Sequence, residues 1–162
     1  MSSLRQEHTF EPVFDLNSKI LIVGSFPSVK SRQNGFYYGH PNNRFWKTLR
    51  AIFNCELPQT TLQKKTMLKD NNIALWDAIK SCEITGSSDS SIKNIVPNDL
   101  NIILSQCEIS NIYANGNTAG KLYNKHIKPL TNRDIKILPS TSPANAMYSL
   151  ERLIECWICI LD

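Results

Sequence analysis

Residues 19–24 read KILIVG, an unbroken run of leucine and β-branched side chains closed by glycine, the pattern of a strand buried on both faces. Working outward, the same kind of run recurs as IALWDAI (73–79), ISNIYAN (109–115) and IKIL (135–138). The intervals carry helical spacing. Phe45, Trp46, Leu49, Ile52 and Phe53 share one face of a segment over 43–53, and further helices are expected over 60–69, within VPNDLNIILSQC (96–107), in NTAGKLYNKHI (117–127) and in YSLERLIECWICIL (148–161). Residues 80–96, with the polar TGSSDSS, read as a loop, as does PSTSPANA (139–146). Four short strands alternating with helices predict an α/β fold, a three-layer αβα sandwich around a central four-stranded, mostly parallel sheet.

The chain of 162 residues suits a single domain over 1–162, long enough to bury about 70% of its unfolded surface without a disulfide or metal staple. No repeat or low-complexity tract interrupts it. No apolar run resembles a secretory leader or approaches a membrane span, so a cytoplasmic protein with no membrane partner is expected. Five cysteines at unrelated spacings fit reduced thiols better than a disulfide framework.

Charge is unevenly placed. The net +4 comes from one segment: between Asp15 and Glu56 lie six cations and no acid, while the rest of the chain holds 12 cations against 14 acids. That segment contains GFYYGHPNNRFWKTL (35–49), where rings, amides and cations are interleaved. Such a mixture suits a nucleic-acid surface, cations meeting phosphates and rings stacking on bases; the alternative is a solvated basic face with its rings in the core.

In parallel sheets ligands bind beyond the carboxyl ends of the strands. The segments there are GSFPSVKSRQNGFYYGHPNNR (24–44), DAIKSCEITGSSDSS (77–91), NGNT (115–118) and PSTSPANA, which brings the distinctive residues to one edge. SSDSS (87–91) is polar enough to suggest a place at the rim. Several other chemistries lack their motifs: GNTAG is no phosphate loop, Ser25 lacks the GxSxG setting of a hydrolase nucleophile, and the CxxC of Cys156 and Cys159 has no second ligand pair.

Taken in order, GSFPS after the first strand, FYYGHPNNRFWK leading into a helix and PSTSPANA after the last strand resemble the uracil-DNA glycosylase superfamily, most closely its DNA-deoxyinosine branch. The FYYGHPNNRFW string is also similar to the mismatch-specific uracil-DNA glycosylases. The resemblance runs from about Lys19 to Leu161. It implies a monofunctional, monomeric enzyme that hydrolyses the N-glycosidic bond of a flipped deaminated base in DNA, hypoxanthine first and uracil as a further substrate, with no metal, iron–sulfur cluster or organic cofactor. Iron–sulfur relatives need cysteines near the first motif, and none precedes Cys55. A non-catalytic nucleic-acid-binding module of the same fold is the competing reading.

The resemblance also implies roles. Tyr38 matches the ring on which the extruded base stacks, or it packs beneath its own loop, and Gly24, Ser25 and Phe26 belong to the first substrate-binding loop. Phe26 stands where relatives place a water-positioning asparagine or aspartate, and a phenyl ring cannot orient water. Asn43 matches the asparagine on which the deoxyinosine branch depends; its oxygen would accept from water, or it caps the helix it begins. His40 either donates to a phosphate or the leaving base, or holds its loop. Asp77 matches an asparagine that reads the base edge in uracil-specific relatives and could accept hypoxanthine N1–H; otherwise it bonds its own loop. Ser140, Thr141, Ser142 and Asn145, with Arg44, are the expected contacts to the DNA backbone.

Overall fold

The computed structural model describes residues 4–8, 10–85 and 91–162. Its main sheet has four strands in the order β3 (Ile73–Asp77), β2 (Ile20–Gly24), β6 (Asn111–Asn115), β7 (Lys136–Leu138), and every pairing is parallel. Burial of β3 and nearly all of β2 along their length shows why these strands read as continuous apolar runs: helices cover both faces. The register sets Gly24 opposite Asp77 and Asn115 opposite Leu138, so the carboxyl ends lie level and their loops open on the same side.

The helices follow sequence spacing. In α2 (Phe45–Phe53), Phe45, Trp46 and Leu49 turn inward. The helix α3 (Thr61–Asp70) begins with a reciprocal capping box between Thr60 and Gln63. Shorter pieces are α1 (Val29–Asn34), α4 (Asn101–Leu104) and α5 (Asn117–Leu122), the last continued by a π-turn into α6 (Lys128–Thr131). The closing helix α7 (Leu150–Trp157) starts at Ser149, whose hydroxyl accepts from Arg152 N, and lies against α2.

Two expectations need correction. The strand expected over 73–79 ends at Asp77; after bonds from Ala78 N to Gly24 O and from Ile79 N to Ser25 O the chain leaves for a strand of a different sheet that starts at Ile79. Residues 80–96 are not simply a loop: β4 (Ile79–Ile84) and β5 (Lys93–Pro97) pair antiparallel, and the N-terminal β1 (Leu4–Glu7) adds to β4 to give a second sheet, β1-β4-β5. Ile79, Cys82 and Ile84 form its small apolar cluster, and Arg5 ties it together through Ser81 Oγ and Asn94 O, both at 2.7 Å. Residues 86–90, most of the proposed rim segment SSDSS, lie outside the described residues.

The rings of the basic segment are also placed differently from a base-stacking surface. Phe36, Tyr37, Phe45 and Trp46 are buried in the main core, with Tyr37 Oη donating to Glu11 O and Trp46 Nε1 to Tyr37 O. Polar atoms satisfied by backbone carbonyls make this aromatic packing inexpensive.

Candidate active site

At the carboxyl ends of the parallel strands lies an open cavity of about 1040 Å³, walled by the loops after β2, β6 and β7 and by Asp77 at the end of β3. Gly24, Ser25, Phe26, Tyr38, His40, Asn43, Asp77, Ser140, Thr141, Ser142 and Asn145 all line it. Of the residues singled out in the sequence, Arg44 alone is outside this lining.

Gly24 forms part of the floor. A Cβ there would lie 2.2 Å from Asp77 Oδ1 and 2.7 Å from Tyr38 Oη, so only glycine lets both groups approach the strand end. Tyr38 has φ of +53°, a left-handed conformation that turns the chain between Gly35 and His40, and its ring stacks on Phe45 at 4.2 Å. Its buried hydroxyl has no hydrogen-bond partner among the described residues. Burial raises the pKa of this hydroxyl and the charge of Asp77 adds to the effect; the nearby Asn115 side chain opposes them without reaching hydrogen-bond geometry.

Asn43 sits at the entry to α2. Its Oδ1 accepts from Phe45 N at 2.9 Å, so the capping alternative is realised, and also from Thr141 Oγ1 at 2.9 Å. Both lone-pair directions of the oxygen are thereby engaged, and the NH2 group is what the side chain offers the cavity. Thr141 in turn accepts from Asn115 Nδ2 and donates its backbone N–H to Asn115 Oδ1, both at 3.0 Å. The chain Asn43–Thr141–Asn115 joins the second motif, the last loop and the end of β6. Asn115 was not singled out in the sequence, where a strand-end asparagine before glycine reads only as a turn.

Thr141 is 0% exposed with its hydroxyl held on both sides, which removes it from the expected phosphate contacts. Arg44 is likewise turned inward: its guanidinium donates to the carbonyls of Ser142, Asn145 and Tyr148 and fastens the 139–148 loop. Ser140 Oγ accepts from Ser142 N, Ser142 Oγ from Ala144 N, and Asn145 Nδ2 donates to Ser140 O, so this loop is internally ordered with Ser140, Ser142 and Asn145 only partly buried. Gly116, at φ of +96°, lets Ser140 come close; a Cβ there would stand 3.0 Å from Ser140 Cβ.

His40 Nδ1 accepts from Asn42 N at 3.0 Å, which realises the loop-holding alternative and assigns the proton of a neutral ring to Nε2. Asp77 does not bond its own loop through its carboxylate. Oδ2 instead meets Nε2 of His8 at 2.8 Å, and both side chains are buried. His8 escaped sequence reasoning because its partner is 69 residues away and nothing in EHTFEP marks it. Phe26 is half-buried, 6.1 Å from the His8 ring and beneath the Arg32 guanidinium at 5.4 Å.

Comparison with known proteins agrees with this geometry. The sequence model of the uracil DNA glycosylase superfamily matches residues 11–158. A hypoxanthine DNA glycosylase of Methanosarcina acetivorans is 36% identical over 148 residues, covering 90% of this chain and 92% of the relative. One from Methanosarcina barkeri is 36% identical over 138 residues, covering 84% and 86%. A solution NMR structure from Methanosarcina acetivorans, named as a candidate uracil DNA glycosylase, superposes with a TM-score of 0.81 at 33% identity, over 97% of this chain and 96% of the other. With the fold, the motif order and the matched span in agreement, the chain belongs to the uracil DNA glycosylase superfamily.

Proposed function

We propose that this protein is a DNA glycosylase that removes hypoxanthine, with uracil as a second substrate, from DNA, acting as a cytoplasmic monomer without a metal ion. The observation that carries this reading is the convergence of Tyr38, His40 and Asn43, from the one loop that leads into α2, with Asp77 from the end of β3 on one cavity at the strand ends. The two hypoxanthine DNA glycosylases similar to it over most of its length support the choice of base.

Tyr38, backed by Phe45 on one ring face, offers a rigid platform for the extruded base. Stacking contributes about 1–3 kcal/mol per base, which offsets much of the cost of extrusion. Asp77 Oδ1 receives the base edge, and His40 Nε2–H is the donor available to a phosphate or to the leaving base. Ser140, Ser142 and Asn145 are the loop's candidates for backbone contact. With its oxygen occupied, Asn43 acts through its NH2 group, donating to the attacking water or to the base as negative charge develops there. Such a group need not be a strong base, because the glycosidic bond breaks ahead of water addition and leaves an oxocarbenium-like sugar.

The test is strand cleavage by alkali after incubation of purified protein with duplexes carrying one deoxyinosine or one deoxyuridine, in chelator, with gel filtration to report mass. Cleavage at deoxyinosine is the expected result. DNA retention with neither lesion cut would overturn the enzyme and favour the binding module.

A further inference from the structure

The pairing of His8 with Asp77 has a consequence for recognition that the motifs do not carry. The second sheet delivers His8: β1 runs antiparallel to β4, and His8 N donates to Lys80 O at 2.7 Å, so the ring arrives beneath the end of β3. There it is held edge-on or tilted among Phe10 at 5.5 Å, Tyr37 at 5.8 Å and Phe26 at 6.1 Å. Only Nε2 meets the carboxylate. Asp77 is 3% exposed and, among the described residues, has no other side-chain partner for its carboxylate, while Oδ1 stands over Gly24 at the cavity floor.

We propose that His8 is a positioning residue for base selection, donating from Nε2 to Asp77 Oδ2 so that Oδ1 faces the cavity as an acceptor and admits a base bearing a ring N–H while rejecting adenine. This rests on the reading of the cavity as the base-receiving site. Hypoxanthine carries a hydrogen on N1 beside its C6 carbonyl, and that hydrogen satisfies a carboxylate oxygen. Adenine has a lone pair on N1, which a carboxylate repels. Without the His8 donor nothing holds Oδ2 away from the cavity and Oδ1 toward it, so the bond to a ring N–H weakens for hypoxanthine and guanine alike, while adenine, which makes no such bond, loses nothing. Guanine has the same N1–H as hypoxanthine, so its exclusion has to come from space around its 2-amino group and not from this pair.

That difference separates selection from simple support of the fold. His8→Phe keeps an aromatic ring among Phe10, Phe26 and Tyr37 but removes the donor; His8→Gln restores an amide N–H near the position of Nε2. Equilibrium binding would be measured on duplexes whose target inosine, adenosine or guanosine carries a fluorine at the sugar C2′ to block hydrolysis, and excision would be measured on the natural inosine duplex. Each preference is a ratio within one protein preparation and is compared with the wild-type ratio, so active fraction and pairing strength cancel.

In His8→Phe the preference for inosine over adenosine is expected to fall roughly tenfold or more, the size of one charge-assisted hydrogen bond. The preference over guanosine stays at the wild-type value, and His8→Gln recovers the loss. A His8→Phe protein that keeps the wild-type inosine-to-adenosine ratio, or that loses both ratios together, overturns the proposal. If the wild type excises nothing yet shows a His8-dependent inosine preference, the glycosylase reading fails and this inference stands. If the wild type excises inosine and the substitutions leave its selectivity intact, the inference fails and the enzyme stands.

Discussion

Asn43→Ala is expected to lower the rate of hypoxanthine excision by about 100-fold or more, the usual cost of removing one donor aimed at developing charge, while DNA affinity stays near the wild type. Alanine also removes the acceptor for Phe45 N and for Thr141 Oγ1, so some loss would come from a loosened helix start. Asn43→Asp separates the two effects, because it retains an oxygen for both partners and puts a charged acceptor oxygen in place of the NH2 donor. Single-turnover rates of the two variants should fall alike, with the Asp variant melting close to the wild type. Near wild-type turnover in Asn43→Asp would show that the reaction does not need the amide hydrogen.

Trp157→Ala is expected to cost about 3–5 kcal/mol, as for other large-to-small changes of a buried aromatic. Its ring is 0% exposed, meets Phe45 edge-on at 6.0 Å and donates from Nε1 to Pro139 O at 2.9 Å. The substitution opens a cavity between α7 and α2 and leaves the Pro139 carbonyl without its partner, at the root of the loop that carries Ser140, Thr141 and Ser142. For a chain of this size the melting temperature should drop by roughly 6–20 °C. A drop under about 2 °C in a calorimetric scan would mean that the α2–α7 interface is not a main support of the site.

The parallel sheet was legible because KILIVG, IALWD, NIYAN and KIL are short apolar runs, the first three ending in glycine, aspartate or asparagine and the last followed by proline, and these signals are local. The second sheet was not. IKSCEI mixes apolar and polar residues beside a serine-rich stretch, and its partner LRQE, at the other end of the sequence, has no β-branched residue. Its stability comes from a three-residue apolar cluster and from Arg5 bridging Ser81 and Asn94, contacts that exist only after the chain has folded.

The site divides in the same way. Tyr38, His40, Asn43 and Asp77 were found because they sit in motifs at strand ends, but what occupies each of their polar atoms was hidden. Arg44 and Thr141 illustrate the error this invites. A cation at the start of α2 and a hydroxyl in the 139–148 loop read as phosphate ligands, yet Arg44 fastens that loop from outside and the Thr141 hydroxyl is held between Asn115 and Asn43. The buried rings of 36–46 show a parallel case, since a core can accept Tyr and Trp whenever backbone carbonyls lie within reach of their donors.

The delivery of His8 by β1 bears on where a working minimal domain begins. The superfamily's sequence model matches from residue 11, so a protein trimmed to that match would keep the motifs and lose the proposed donor to Asp77. On the proposed roles, such a truncation would preserve the Asn43 amide and the Tyr38 ring while removing the His8 pairing that is proposed to discriminate against adenine. If His8 acts as proposed, the leading strand sets accuracy, and shortening the chain to the matched span would trade that accuracy for compactness.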